Sequence, residues 1–144
     1  MSTIPRLDWD FEPVIEVFEH KDNIVTLLGI DTGTKRLDLS QQAVGSGLLA
    51  VLAAELRCKR NASSLNWVDV GAWERASTWS DEVVDSLIDL FNESDQLGTL
   101  IGIEKGAERL DLSLQAIDQV LLKILLAEFR NGGNASSLNW VDVG

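Results

Sequence analysis

Asn61-Ala62-Ser63-Ser64-Leu65-Asn66-Trp67-Val68-Asp69-Val70-Gly71 occurs again, letter for letter, as Asn134 to Gly144, 73 positions further on. At the same offset Leu27-Leu28-Gly29-Ile30 meets Leu100-Ile101-Gly102-Ile103, and Arg36-Leu37-Asp38-Leu39-Ser40 meets Arg109-Leu110-Asp111-Leu112-Ser113. The chain is one unit written twice, so its fold must be two copies of one design. A unit of ~73 residues is near the lower limit for a self-sufficient core, so the two copies are expected to pack on each other or on another chain. The organisation expected is a leader over 1–12, unit 1 over 13–71, a connector over 72–80 and unit 2 over 81–144. The connector holds Trp73 and Trp79 and is neither Gly/Ser-rich nor proline-rich, which argues for docked rather than tethered units.

Hydrophobic periodicity predicts an all-α fold. Pro13 suits the first turn of a helix carrying Val14, Ile15, Val17 and Phe18. Its counterpart, with Val83, Val84, Leu87, Ile88, Leu90 and Phe91, follows Ser80-Asp81-Glu82, a cap with acidic first-turn residues. The next stretch, Asp22 to Ile30 and Asp95 to Ile103, spaces its apolar residues by three and four and is read as a helix ended by Gly33 or Gly106. A hairpin over 24–39 and 97–112 competes, but Gly98 falls inside its first strand. Ser40 and Ser113 are then read as opening the longest helix of each unit. Its stripe, Val44, Leu48, Val51, Leu52 and Leu56, recurs as Ile117, Leu121, Ile124, Leu125 and Phe129. Gly45 and Gly47 weaken the first of these helices, each by about 0.8–1 kcal/mol against alanine, so the second is expected to be the more stable. The duplicated block closes each unit and is read as a short helix packed on the long one, with a strand over 65–70 as the alternative.

Little in the chain points to catalysis. Gly29-Ile30-Asp31-Thr32-Gly33-Thr34 matches the Asp-Thr-Gly of aspartic proteases and the first phosphate loop of the actin and sugar-kinase superfamily. Unit 2, however, has Glu104-Lys105-Gly106 there, and 144 residues cannot make two α/β lobes. Leu-Asp-Leu-Ser at 37–40 and 110–113 matches leucine-rich repeats, but those recur about every 20–29 residues, not every 73. Helix capping by the serine is preferred. His20 is the only histidine and Cys58 the only cysteine, and unit 2 repeats neither, so no disulfide, zinc site or cofactor is expected. The shared charges Asp38/Asp111, Glu55/Glu128, Arg36/Arg109 and Arg57/Arg130 are assigned to ion pairs and helix ends.

The net charge is −11, split as −3 over residues 1–71 and −8 over 72–144. An acidic surface repels phosphate backbones, so nucleic acid is not an expected partner. The longest apolar run, Leu48 to Leu56, is broken by Glu55 and too short for a bilayer, so no membrane association is expected. With no signal peptide evident, the chain is expected to be cytoplasmic and its three Asn-X-Ser matches fortuitous.

Read as helices, the order of each unit is a short helix, the Leu-Leu-Gly-Ile helix, Leu-Asp-Leu-Ser, the long helix and the Asn-Ala-Ser-Ser-Leu-Asn-Trp-Val-Asp block. That order resembles the later part of death-fold domains, over roughly residues 12–71 and 81–144. The units are short for that fold's six helices. The resemblance implies a non-enzymatic adaptor assembling through homotypic contacts.

The function expected is therefore a non-catalytic protein-interaction module, self-associating through equivalent surfaces of its two repeats into a homo-oligomer or filament. The interaction residues expected are Leu65, Trp67 and Asp69 with their copies Leu138, Trp140 and Asp142, because tryptophan is enriched in binding hot spots. The alternative is an acidic inhibitor, an immunity protein or DNA mimic, occluding a basic partner.

Overall fold

Each unit is built around the long helix that the periodicity predicts. In the computed structural model, which describes residues 10–42, 44–114 and 117–144 and omits the side chains of 74 and 75, these are α2 (Ser46–Cys58) and α5 (Gln119–Asn131). Both begin about one turn and a half later than expected. Ser40 and Ser113 do not cap them; Gly45 is the N-cap of α2, and the Asp118 carboxylate caps α5 by accepting from Leu121 N at 2.8 Å. Gly45 is thus outside the helix it was expected to weaken. The short amphipathic helices form as predicted: α1 (Glu12–His20), with Pro13 in its first turn, and α4 (Asp81–Glu93), capped by Ser80. A one-turn helix, α3 (Ala72–Arg75), and a 3-10 turn occupy the connector, where buried Trp79 donates Nε1–H to Val44 O at 2.8 Å. Of the leader expected over 1–12, residues 1–9 lie outside the described residues.

The fold is not all-α. Each unit holds a pair of three-residue parallel strands: β1 (Arg36–Asp38) with β2 (Trp67–Asp69), and β3 (Arg109–Asp111) with β4 (Trp140–Asp142). Neither a helix nor a hairpin occupies 24–39 and 97–112, and the duplicated block is a 3-10 turn (Asn61–Ser64, Asn134–Ser137) followed by a strand. Leu-Asp-Leu-Ser is a strand leading into a turn in which Asp38 or Asp111 accepts from the amide and hydroxyl of Ser40 or Ser113. Parallel neighbours need a long crossover, and here α2 and α5 supply it. The separation that matters is then the 31 positions from Leu37 to its partner Val68, not the 73 between units. The death-fold resemblance implies a helical bundle, and these strand pairs depart from it.

The stretch read as a second helix fails to form one because side chains claim its amides. Leu27 N and Leu28 N donate to Glu55 Oε2, at 2.7 and 2.8 Å, and Ile30 N donates to Thr26 Oγ1 at 2.9 Å. Amides bound this way have none left for the carbonyls four residues back. Gly33 and Gly106 sit at φ +85° and +87° in the four-residue turns that follow, where glycine alone is unstrained.

The units are joined through both layers. In the helical layer α1 packs on α2, α2 on α4 and α4 on α5, and one apolar core runs through both units. In the strand layer residues 98–102 of unit 2 line the outer edge of β2. Val68 N donates to Thr99 O (3.2 Å), Val70 N to Leu100 O (3.0 Å), Gly98 N to Asn66 O (2.9 Å) and Gly102 N to Val68 O (3.0 Å). The contact is irregular, with a single antiparallel bridge between Asp69 and Ile101.

Candidate interaction surface

The joining strip is shaped by a buried carboxylate. Glu128, on α5, is fully buried; its Oε2 accepts from Thr99 Oγ1 (3.0 Å), Leu100 N (2.6 Å) and Ile101 N (3.2 Å). Thr99 Oγ1 in turn accepts from Ile101 N and Ile103 N, at 3.2 and 3.1 Å. The strip is thereby folded back on its own amides, and its outward groups at 98–102 are left for β2. Unit 1 repeats the clasp with Glu55 and Thr26, over Ile24 to Ile30. Hydrogen bonds to a charged acceptor contribute about 1.5–3 kcal/mol each. Burial nevertheless pushes the Glu128 carboxyl up to about 7, against the pull of Leu100 N, Thr99 Oγ1–H and Ile101 N. These glutamates are not the ion-pair residues expected from sequence. The readable signal was a glutamate interrupting the apolar stripe at the same place in both units.

The surface that receives the strip is the duplicated block. Its tryptophans are stacked identically, with the Arg36 guanidinium carbon 3.8 Å from the Trp67 ring centroid and that of Arg109 3.8 Å from Trp140. Such stacking orders the long arginine side chain on an aromatic face. Arg36 then reaches across to unit 2, holding both carboxylate oxygens of Glu104 at 2.9 Å. Beside it Gly102, at φ +79°, passes so close to Asp69 that a Cβ there would lie 2.7 Å from Asp69 Oδ2. Burial raises the Asp69 carboxyl above its ordinary range, while the hydrogen bond from Gly71 N draws it back.

The six residues expected to form equivalent surfaces are not equivalent in exposure. Leu65 and Trp67 are buried and Asp69 is half-buried; Leu138, Trp140 and Asp142 are all half-buried. The outward residues differ more: Val68 and Val70 are 0% and 1% exposed, whereas Val141 and Val143 are 39% and 59% exposed. Among the described residues, the outer N–H groups of Val141 and Val143 have no partner like those that Thr99 and Leu100 provide in unit 1. The helical layer shows the same step. Leu49 and Ala53 on α2 are buried, while their counterparts Leu122 and Leu126 on α5 are exposed, as is Phe129. Together α5 and β4 present an apolar face with an unpaired strand edge. Phe129 belongs to the apolar stripe expected from the period yet is exposed, and Leu122 and Leu126 lie off that stripe. Apolar residues on a second flank of α5 were the signal for them.

Among the described residues, no group of three or more His, Cys, Asp or Glu is placed to hold a metal ion, and no helix is long and apolar enough to cross a membrane. Cys58 is partly buried and His20 is exposed on the last turn of α1. No family model matches the chain, and neither the curated proteins nor the solved structures contain a match to it.

Proposed function

We propose that the chain is a non-catalytic protein-interaction module, and that its docking face is the outer side of unit 2. The carrying observation is that one eleven-residue sequence is covered in one copy and open in the other. Within the molecule this sequence already has a ligand, the strip 98–102, bound by main-chain hydrogen bonds along a strand edge. Addition of an extended segment to a strand edge is a recurring mode of recognition, the main chain supplying affinity and side-chain pockets the selectivity. An exposed edge flanked by apolar side chains is suited to it.

The shared carboxylates do other work. Glu55 and Glu128 are buried and spend Oε2 on three donors each, and Asp38 and Asp111 hold their serine turns. The test is a peptide spanning residues 94–106, titrated into the intact protein while Trp140 fluorescence and the amide signals of Val141 and Val143 are followed. Saturable binding that perturbs those residues, and is lost in Val143→Asp, is the expected result. Absence of binding at millimolar peptide would defeat the reading.

A further inference from the structure

We infer that the docking face of unit 2 is filled by unit 1 of a second copy of this chain, repeating between molecules the junction that joins the two units within one. The inference rests on reading that face as a docking site, and it names the occupant.

Unit 1 carries the matching half. Its strip, Ile24 to Ile30, is clasped by Glu55 and Thr26 just as the covered strip is clasped by Glu128 and Thr99. The groups that the covered strip uses against β2 correspond to Val25 N, Thr26 O, Leu27 O and Gly29 N, none of which has a main-chain partner among the described residues. Gly29 keeps the left-handed conformation of Gly102, at φ +77°, but has nothing within 4 Å of where a Cβ would stand. Gly102 needs that bare backbone to clear Asp69; in a second molecule Gly29 would clear Asp142 in the same way.

The helices agree. Val14 and Val17 on α1 are 48% and 49% exposed, and their counterparts on α4 are Leu87, buried, and Leu90, largely covered. Every exposed large hydrophobic described, Leu114 excepted, lies at one of two ends: Val14, Val17 and Val25 on unit 1, and Leu122, Leu126, Phe129, Val141 and Val143 on unit 2. Side-chain sizes shift together between the internal junction and these ends. Inside, α2 packs on α4 and carries Leu49, Ala53 and Leu56, while α4 carries Leu87 and Leu90; at the ends the counterparts are Leu122, Leu126 and Phe129 on α5, larger at two of the three positions, and Val14 and Val17 on α1, both smaller.

Charge follows the same rule. Arg36 pairs with Glu104 across the internal junction. The corresponding residues at the ends are Arg109, stacked on Trp140 with no carboxylate within 4.0 Å among the described residues, and Asp31. A head-to-tail contact of this kind is heterologous and leaves a free end after every addition, so it propagates.

The test uses the whole chain and two variants altered at exposed positions: Val143→Asp, which blocks the tail, and Val17→Asp, which blocks the head. Mass is read by light scattering on a sizing column across a concentration series, with circular dichroism as a check on folding. The parent is expected to grow in mass with concentration without a plateau. Each variant is expected to run as one chain, and an equal mixture of the two as a dimer and nothing larger, because one functional head and one functional tail remain. A parent that stays monomeric, a variant that still grows, or a mixture that fails to pair or passes the dimer would each overturn the inference. A monomeric parent that still binds the 94–106 peptide loses only the self-partner; one that does not bind it loses the docking face as well.

Discussion

Val68 and Val141 are the same residue in the same eleven-residue sequence, stacked beside the same Arg–Trp pair, yet one is 0% and the other 39% exposed. Their local structures agree: a 3-10 turn, then a strand in identical register with its partner. What differs is the next layer. The block sets its own backbone, and its burial is set by whatever comes to lie on it.

The largest effect should come from charging that position in each copy. Val68→Asp places an unpaired carboxylate in the core and is expected to cost about 4 kcal/mol or more, whereas Val141→Asp in dilute protein should cost less than about 1 kcal/mol. Urea denaturation checks both, and equal costs would break the comparison. The clasps come next. Glu128→Ala leaves fully buried donors unsatisfied, while those of Glu55 are partly reachable by water. Losses of about 3 and about 1–2 kcal/mol are expected, in that order.

A pH series sharpens this further. The Glu128 carboxyl is raised from 4.5 to about 7, so the folded state holds its proton more tightly than the unfolded state does. Its contribution is fully present below pH 4.5 and is lost as pH rises through about 7. The size is about 3 kcal/mol, and Glu128→Gln should flatten that part of the stability curve. The smallest contrast is at the glycines. Gly29→Ala meets only the cost of a left-handed alanine, about 1 kcal/mol. Gly102→Ala also meets Asp69, so its thermal midpoint should fall further than that of Gly29→Ala.

The helices were legible because a stripe such as Val51, Leu52 and Leu56 declares its period within four turns. The strands were not. Three residues such as Trp67-Val68-Asp69 are too few to show alternation, and their parallel partner lies 31 positions away, where no local pattern can register it. Leu27 and Leu28 were misread as helical because the competitor for their amides, Glu55, lies 27–28 residues along the chain. The proposed docking face was half legible: the repeat pointed to Trp140 and its neighbours, but the burial that makes Trp67 unlike it belongs to tertiary packing. Leu126 carried a readable sign, since alanine stands at the same place in the covered copy.

That substitution bears on how the chain avoids tangling. Two identical receptor sequences and two similar strips invite exchange during folding, when a strip from one molecule can reach the wrong block in another, a known hazard of repeat proteins. On the head-to-tail proposal, Leu126 and Phe129, larger than Ala53 and Leu56 in the covered copy, would meet the valines of α1 more easily than the leucines of α4, because overfilled contacts cost about 1–3 kcal/mol. The helical layer would then act as a size gauge, rejecting mismatched partners that the strand edges, reading only main chain, would accept.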